Sequence, residues 1–206
     1  MPIAGIDAAL REVERCGLLM LADAKLSSLT TLIAGEPVRG SWWSHPRGKA
    51  IFAVSSALAE HDDVVALKLV ASKVTFIHRK LWPSLLAVVT AREPWQTSGL
   101  AAAPKALLAA SADQATVRCD DKVMSAAAGE LEARLLARIE QVHTERGVHA
   151  LQVESWERWA KRKRVAGGKL SVAGAKRKLE LATAALGADD AIALLPWNAV
   201  SKKRRR

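Results

Sequence analysis

The stretch from Gly40 to Gln96 restricts the fold more than any other, because it sets two β-rich runs between two helix starts. Val64 to Val70 and Lys73 to His78 are dense in Val, Leu, Ile, Phe and Thr and are separated only by Ala71-Ser72, which is the spacing of a hairpin. Ahead of them, Ser44 can cap a helix that begins at His45 and Pro46, with Ile51, Val54 and Leu58 on one face. Asp62 and Asp63 interrupt that pattern. After the strands, Trp82-Pro83 opens another helix with Leu85 and Val88 or Val89 inward, and Arg92-Glu93-Pro94 closes it. The expectation is helix, hairpin, helix. Alternation places Val74, Phe76 and Leu67 on the inner face of the hairpin, where the Trp82 ring can cover them and serve the core.

The remaining periodicities fill in the chain. Ile6, Leu10, Val13, Gly17 and Met20 or Leu21 recur at helical spacing, and a second helix follows Ser27 or Ser28 and stops at Gly35-Glu36-Pro37. Beyond Gln96, Leu100 and Leu107-Leu108 share a helix, Thr116 to Cys119 is extended, and Asp120 or Asp121 caps a helix carrying Val123, Ala127, Leu131 and Leu135. Leu136 to His143 and Val148 to Glu154 then read as paired strands across a loop in which Gly147 supplies a positive φ. Ser155 caps a helix whose Trp156 and Trp159 belong to the core, and Gly167-Gly168 is a hinge. Ser171 caps a helix with Val172, Ala175, Leu179, Ala182 and Leu186 inward and Gly187 as its stop; Ala191 to Trp197 is expected as a short strand and KKRRR as a free tail.

Of the 206 residues, half are apolar, enough for a core, yet the longest apolar runs fall far short of the ~20 residues that span a bilayer. With no leader pattern either, a cytoplasmic location is expected and a membrane partner is not. Cys16 and Cys119 sit in apolar surroundings and read as buried reduced thiols; no Cys/His spacing suits zinc, and no cofactor is implied. The net charge of +10 is strongly asymmetric. Acidic and basic residues balance from Met1 to Ala160, so the whole excess lies from Lys161 onward. That placement suits a polyanion, since each cation that neutralises a phosphate releases counterions, and nucleic acid, duplex DNA first, is the expected partner. The contacts it suggests are Lys161, Arg162, Lys163, Arg164, Lys176, Arg177, Lys178, Lys202, Lys203, Arg204, Arg205 and Arg206.

The segments LAAAPKALLAASADQATVRCDD, GELEARLL and LARIEQVHTERGVHALQVE, taken in order over Leu100 to Glu154, resemble winged-helix DNA-binding proteins. The resemblance implies a last helix in the major groove and a hairpin wing along the backbone, which would bring Arg146 and His149 to the nucleic acid. The stretch Thr116 to Leu135 carries one more acidic than basic residue, with Glu130 and Glu132 on the helix itself. The pattern is also similar to the bacterial winged-helix group that includes DNA glycosylases for alkylated or crosslinked bases. That group implies a catalytic hairpin with a Gln followed two positions on by Gln or Asp; here Gln152 is followed by Glu154. The expected class is therefore α+β and mostly helical. It divides into a helix–hairpin–helix unit over 1–96, a winged-helix-like unit over 97–166, a helix and short strand over 167–200, and a basic tail over 201–206.

Gly40 to Gln96 also holds His45, His61 and His78 beside Asp62 and Asp63, residue types suited to acid–base or metal chemistry. Their spacing within this stretch contains no HxH, HxxxH or ExxH pair, and the two aspartates read as turn residues. His78-Arg79-Lys80, next to Trp82, is a candidate phosphate contact. A DNA-processing or repair enzyme with its site in 40–96 is the alternative to a binding protein. A protein–protein module with a solubilising tail is the third reading. Nothing in the sequence sets a catalytic residue or an oligomeric state.

Overall fold

A computed structural model of the protein describes residues 5–143, 149–166, 170–188 and 190–203. The chain is α+β and mostly helical, and among the described residues its strands form two three-stranded antiparallel sheets. Helix α1 (Ile6–Cys16) ends where Gly17 adopts φ 85° and donates its N–H to the Val13 carbonyl at 2.7 Å. A side chain at Gly17 would strain that left-handed cap and meet Leu81 Cδ1 at 2.7 Å. The helix expected to reach Met20 or Leu21 therefore stops early, and Leu18–Met20 is strand β1.

In α2 (Leu29–Ala34) the Ser28 hydroxyl accepts from the Thr31 N–H, and Gly35 closes the helix at φ 83°. Helix α3 (Gly48–Glu60) begins after Arg47 rather than at His45. Ser44 does not cap it, because its hydroxyl donates to the Ser41 carbonyl at 2.9 Å inside a 3₁₀ turn over Trp42–Ser44. Strands β2 (Val64–Lys68) and β3 (Val74–His78) run antiparallel, joined by a turn with Ala71 and Ser72 at φ 53° and 57°. Strand β3 is central, since Leu18, Leu19 and Met20 of β1 pair with Ile77, Phe76 and Thr75.

The register corrects one expectation. Ala66 faces Phe76 and Leu67 faces Thr75, so Leu67 lies on the opposite side of the sheet from Phe76. The Phe76 side packs with Ala9 and Val13 of α1, Leu29 and Ile33 of α2, and Ile51 and Leu58 of α3. The Leu67 side is buried too, at Leu18, Met20, Val65 and Ile77. Helix α4 (Trp82–Val89) follows, with Leu85, Val88 and Val89 buried.

Helix α5 (Pro94–Thr97) opens on a Glu93/Gln96 capping box with Pro at its first turn. The buried Gln96 amide donates to the Val89 and Arg134 carbonyls. Next come α6 (Ala102–Asp113), with Leu100 before rather than on it, β4 (Val117–Cys119) and α7 (Lys122–Ala133). The Asp121 carboxylate accepts from the Met124 N–H at 2.8 Å and starts α7. Of the stripe expected on α7, Ala127 and Leu131 are buried. Val123 is 66% exposed, and Leu135 lies past the helix end at φ 53°. Strands β5 (Arg138–His143) and β6 (His149–Glu154) pair antiparallel, and the sheet order is β4-β6-β5. Leu100, Leu107, Cys119, Leu131, Leu136 and Val153 form the core beneath this sheet.

The Ser155 hydroxyl caps α8 (Trp156–Arg162) by accepting from the Arg158 N–H. Trp156 and Trp159 are buried edge to face, 5.5 Å between centroids, and Trp156 Nε1 donates to the Leu135 carbonyl at 3.0 Å. Helix α9 (Val172–Ala184) buries Ala175 and Leu179, and Gly187 follows it at φ 105°. No strand forms at 191–197: Ala191–Leu194 is a 3₁₀ turn, and Pro196 opens α10 (Pro196–Lys203), where a missing N–H costs nothing.

The chain divides into two compact units, 1–82 with 176–206, and 83–175. The end of the chain returns to the first unit. The Ser27 N–H donates to the Leu186 carbonyl at 2.8 Å, and the 191–194 turn and α10 touch the Val70–Ser72 turn. Helix α10 runs on through Lys203, so residues 201–203 of the expected tail are helical. The Gly167-Gly168 hinge lies outside the described residues. Among the described residues no helix is long and apolar enough to cross a membrane.

Candidate nucleic-acid interface

The first basic cluster ends α8. Lys161 and Arg164 are exposed, and Arg164 takes a left-handed φ of 53° with its N–H on the Lys161 carbonyl at 3.2 Å. Arg162 is half-exposed and paired within the fold: its Nε and Nη2 donate to the Glu154 carboxylate at 3.0 and 2.7 Å, which raises its already high pKa. Lys163 is half-buried. Of the wing residues, Arg146 lies outside the described residues, and His149 is placed only as the backbone position of β6 paired with His143.

The second cluster lies on α9 in the other unit. Arg177 and Lys178 are exposed, whereas Lys176 is half-buried with Nζ 5.9 Å from the Trp197 ring centre. Glu180, the one carboxylate of this helix, is used within the fold, accepting from Trp197 Nε1 at 3.0 Å and Asn198 Nδ2 at 3.3 Å. Lys202 and Lys203 are backbone positions of α10, and Arg204, Arg205 and Arg206 lie outside the described residues. The run that is continuous in sequence is thus shared between two units.

His78, Arg79 and Lys80 come together at the end of β3, but each side chain has a partner within the fold. The His78 Nδ1 accepts from the Lys80 N–H, Arg79 pairs with Asp63 at 2.9 Å, and the Lys80 ammonium donates to the Glu14 and Arg15 carbonyls that end α1. A cation on the last carbonyls of a helix is a stabilising cap. Burial is the largest influence on His78 and lowers its pKa. His45 and His61 do what His78 does, accepting from the N–H two residues on, at Arg47 and Asp63. Each of the three rings thus closes its own turn. Among the described residues no group of three or more His, Cys, Asp or Glu could hold a metal ion.

Two features escaped the sequence reading. The first is an ionic cluster in the second unit: the buried Glu154 carboxylate accepts from Arg138 at 3.3 Å as well as from Arg162, and Arg138 also pairs with Glu140 at 2.8 Å. A cavity of about 220 Å³ opens there, lined by these four residues with Thr116 and Gln152. Gln152 and Glu154 do line one cavity, but both oxygens of Glu154 are occupied by guanidinium groups. The signal for this cluster was the hairpin register, which sets Arg138 directly opposite Glu154. The second feature is an aromatic group in which Trp43 and Phe52 are exposed and Trp42 is half-buried. Adjacent tryptophans announce an aromatic group, but no signal in the sequence announces its exposure.

No family model, curated protein or solved structure matches the chain.

Proposed function

We propose that the protein binds nucleic acid, with duplex DNA as the ligand, through the exposed cations that follow Ala160 and through the β5–β6 hairpin. The observation that carries this reading is the charge asymmetry. The whole +10 excess lies beyond Ala160, and Glu180, among the few carboxylates there, is engaged within the fold. The second unit supports a winged-helix reading: α6, β4, α7 and the β5–β6 hairpin follow in that order, and β4 pairs with β6. One helix rather than two lies between β4 and β5, and it carries Glu130 paired with Arg134 at 2.9 Å. Phosphate contact, which is independent of base sequence, is accordingly the mode proposed.

Truncation after Ala160 is a poor test, because it removes the buried Leu179, Leu186, Leu195 and Trp197 of the first unit. Replacing Lys161, Arg164, Arg177 and Lys178 with Gln leaves the core in place. Fluorescence anisotropy on a labelled duplex should show weaker binding and a shallower salt dependence, by about 0.9 for each phosphate no longer neutralised. Unchanged affinity and slope would refute the proposal.

A further inference from the structure

We propose that Trp43, backed by Trp42 and Phe52, is a stacking platform for an unpaired nucleobase; the inference rests on the nucleic-acid reading above and specifies what the first unit recognises. Trp43 is 62% exposed and Phe52 49%, against the usual burial of such rings. They form a group rather than scattered surface residues. Trp42 and Trp43 stack with centroids 4.1 Å apart and planes at 23°, and Phe52 lies 5.3 Å from Trp43.

The group is held rigidly. Trp42 packs against the core of the first unit and anchors the turn. The His45 N–H donates to the Trp42 carbonyl at 3.1 Å, and the Gly48 N–H to the His45 carbonyl at 2.7 Å. At Gly48 a Cβ would lie 2.9 Å from the Trp43 carbonyl oxygen and 3.1 Å from that of Trp42, so the aromatic turn sits directly on the first turn of α3. Arg47 ties the same corner to the Ile33 carbonyl.

Charge selects the occupant. From Pro37 to Ala59, a run bounded by Glu36 and Glu60, the chain carries Arg39, Arg47 and Lys49 and no carboxylate, and Arg39 and Lys49 are exposed. Flat rings on a segment that carries cations suit a base with its flanking phosphates, and stacking accepts any base because every base has a π face. In a matched duplex the bases are already stacked on one another, so the platform favours a bulged or single-stranded site.

The test measures the full-length protein on three labelled probes: a matched duplex, the same duplex with a one-nucleotide bulge, and the single strand. The wild type should prefer the bulged and single-stranded probes. Trp43→Ala should lose roughly five- to a hundredfold on those two with little change on the matched duplex, and Trp43→Phe should recover much of the loss. Because Trp43 is exposed, the urea midpoint of Trp43→Ala should match the wild type, which separates lost stacking from lost fold. Salt-dependent binding with no preference for an unpaired base, or a preference that survives Trp43→Ala, would overturn this inference and leave the proposed function standing. Absence of binding to all three probes would overturn both. Trp43-dependent self-association in sedimentation, with no effect of Trp43→Ala on the probes, would assign the surface to a second copy of the chain instead.

Discussion

Replacing Glu154 with Ala should destabilise the second unit by about 2–3 kcal/mol, and the figure follows from how unequally its two partners can recover. The side chain of Glu154 is 9% exposed and joins Arg138, 14% exposed, to Arg162, 52% exposed. Removing one member of a buried ion pair costs about 3–5 kcal/mol, because the other charge is left without water or partner. Arg162 can turn to solvent and regain hydration. Arg138 regains less, because it is 14% exposed and reaches water only through the cavity that it lines. It keeps Glu140 at 2.8 Å, a half-exposed carboxylate that offsets part of the loss and, with the recovery of Arg162, brings the expectation below that range, to about 2–3 kcal/mol. Urea unfolding at neutral pH measures the change, given an unaltered dependence on denaturant. Adding Arg138→Met to Glu154→Ala should restore part of the stability, since an apolar chain of similar reach needs no partner there. A Glu154→Ala protein within about 0.5 kcal/mol of the wild type would show that the cluster is solvated and the reasoning wrong.

Trp82→Ala should cost about 3–5 kcal/mol, as Trp82 is buried and its Nε1 donates to the Ile77 carbonyl at 3.2 Å; His78→Ala, which loses one 3.4 Å bond, should cost about 1 kcal/mol or less, and paired urea melts separate the two. Gly48→Ala should cost about 1–3 kcal/mol by pushing the Trp42–Ser44 turn off α3, with a shift in tryptophan emission as a second readout. Stability should fall in acid: burial holds His78 below its ordinary 6.5, so protonation favours the unfolded chain as pH drops below that value. A second loss should follow below the ordinary carboxylate value of 4.5, where Glu140 and Glu12, held low by hydrogen bonds from Arg138 and Arg15, lose their charge; melting temperatures across pH 3 to 8, roughly the range in which these groups titrate, check both steps.

Where structure depends on neighbours in sequence, the residues mostly announced it, Ser44 excepted, whose hydroxyl goes to the Ser41 carbonyl instead of a helix start. Ser28, Asp121 and Ser155 cap the helices they precede, and Gly35 and Gly187 take the positive φ that a helix stop requires, because a cap is settled within four residues. Leu18–Met20 could not be read this way: three apolar residues continue a helical period as well as they make a strand, and only pairing with Ile77, Phe76 and Thr75 decides. Pro196 was open in the same sense, as a first-turn proline and an edge-strand proline look alike. For the candidate site, the charge at the end of the chain was legible as a total but not as a surface. Lys176, Arg162 and Lys80 are drawn to partners distant in sequence or in another element. The exposure of Trp43 was invisible, since nothing local distinguishes a displayed ring from a buried one.

The dependence of DNA affinity on salt is the sharpest check on binding through phosphates. The protein should bind a short duplex with log K falling linearly in log salt, and the slope should correspond to several phosphates at about −0.9 each. Replacing Lys161, Arg164, Arg177 and Lys178 with Gln should make that slope shallower while urea melts stay unchanged. A full-length, folded protein that showed no binding at low salt, or binding whose slope was near zero, would contradict the account.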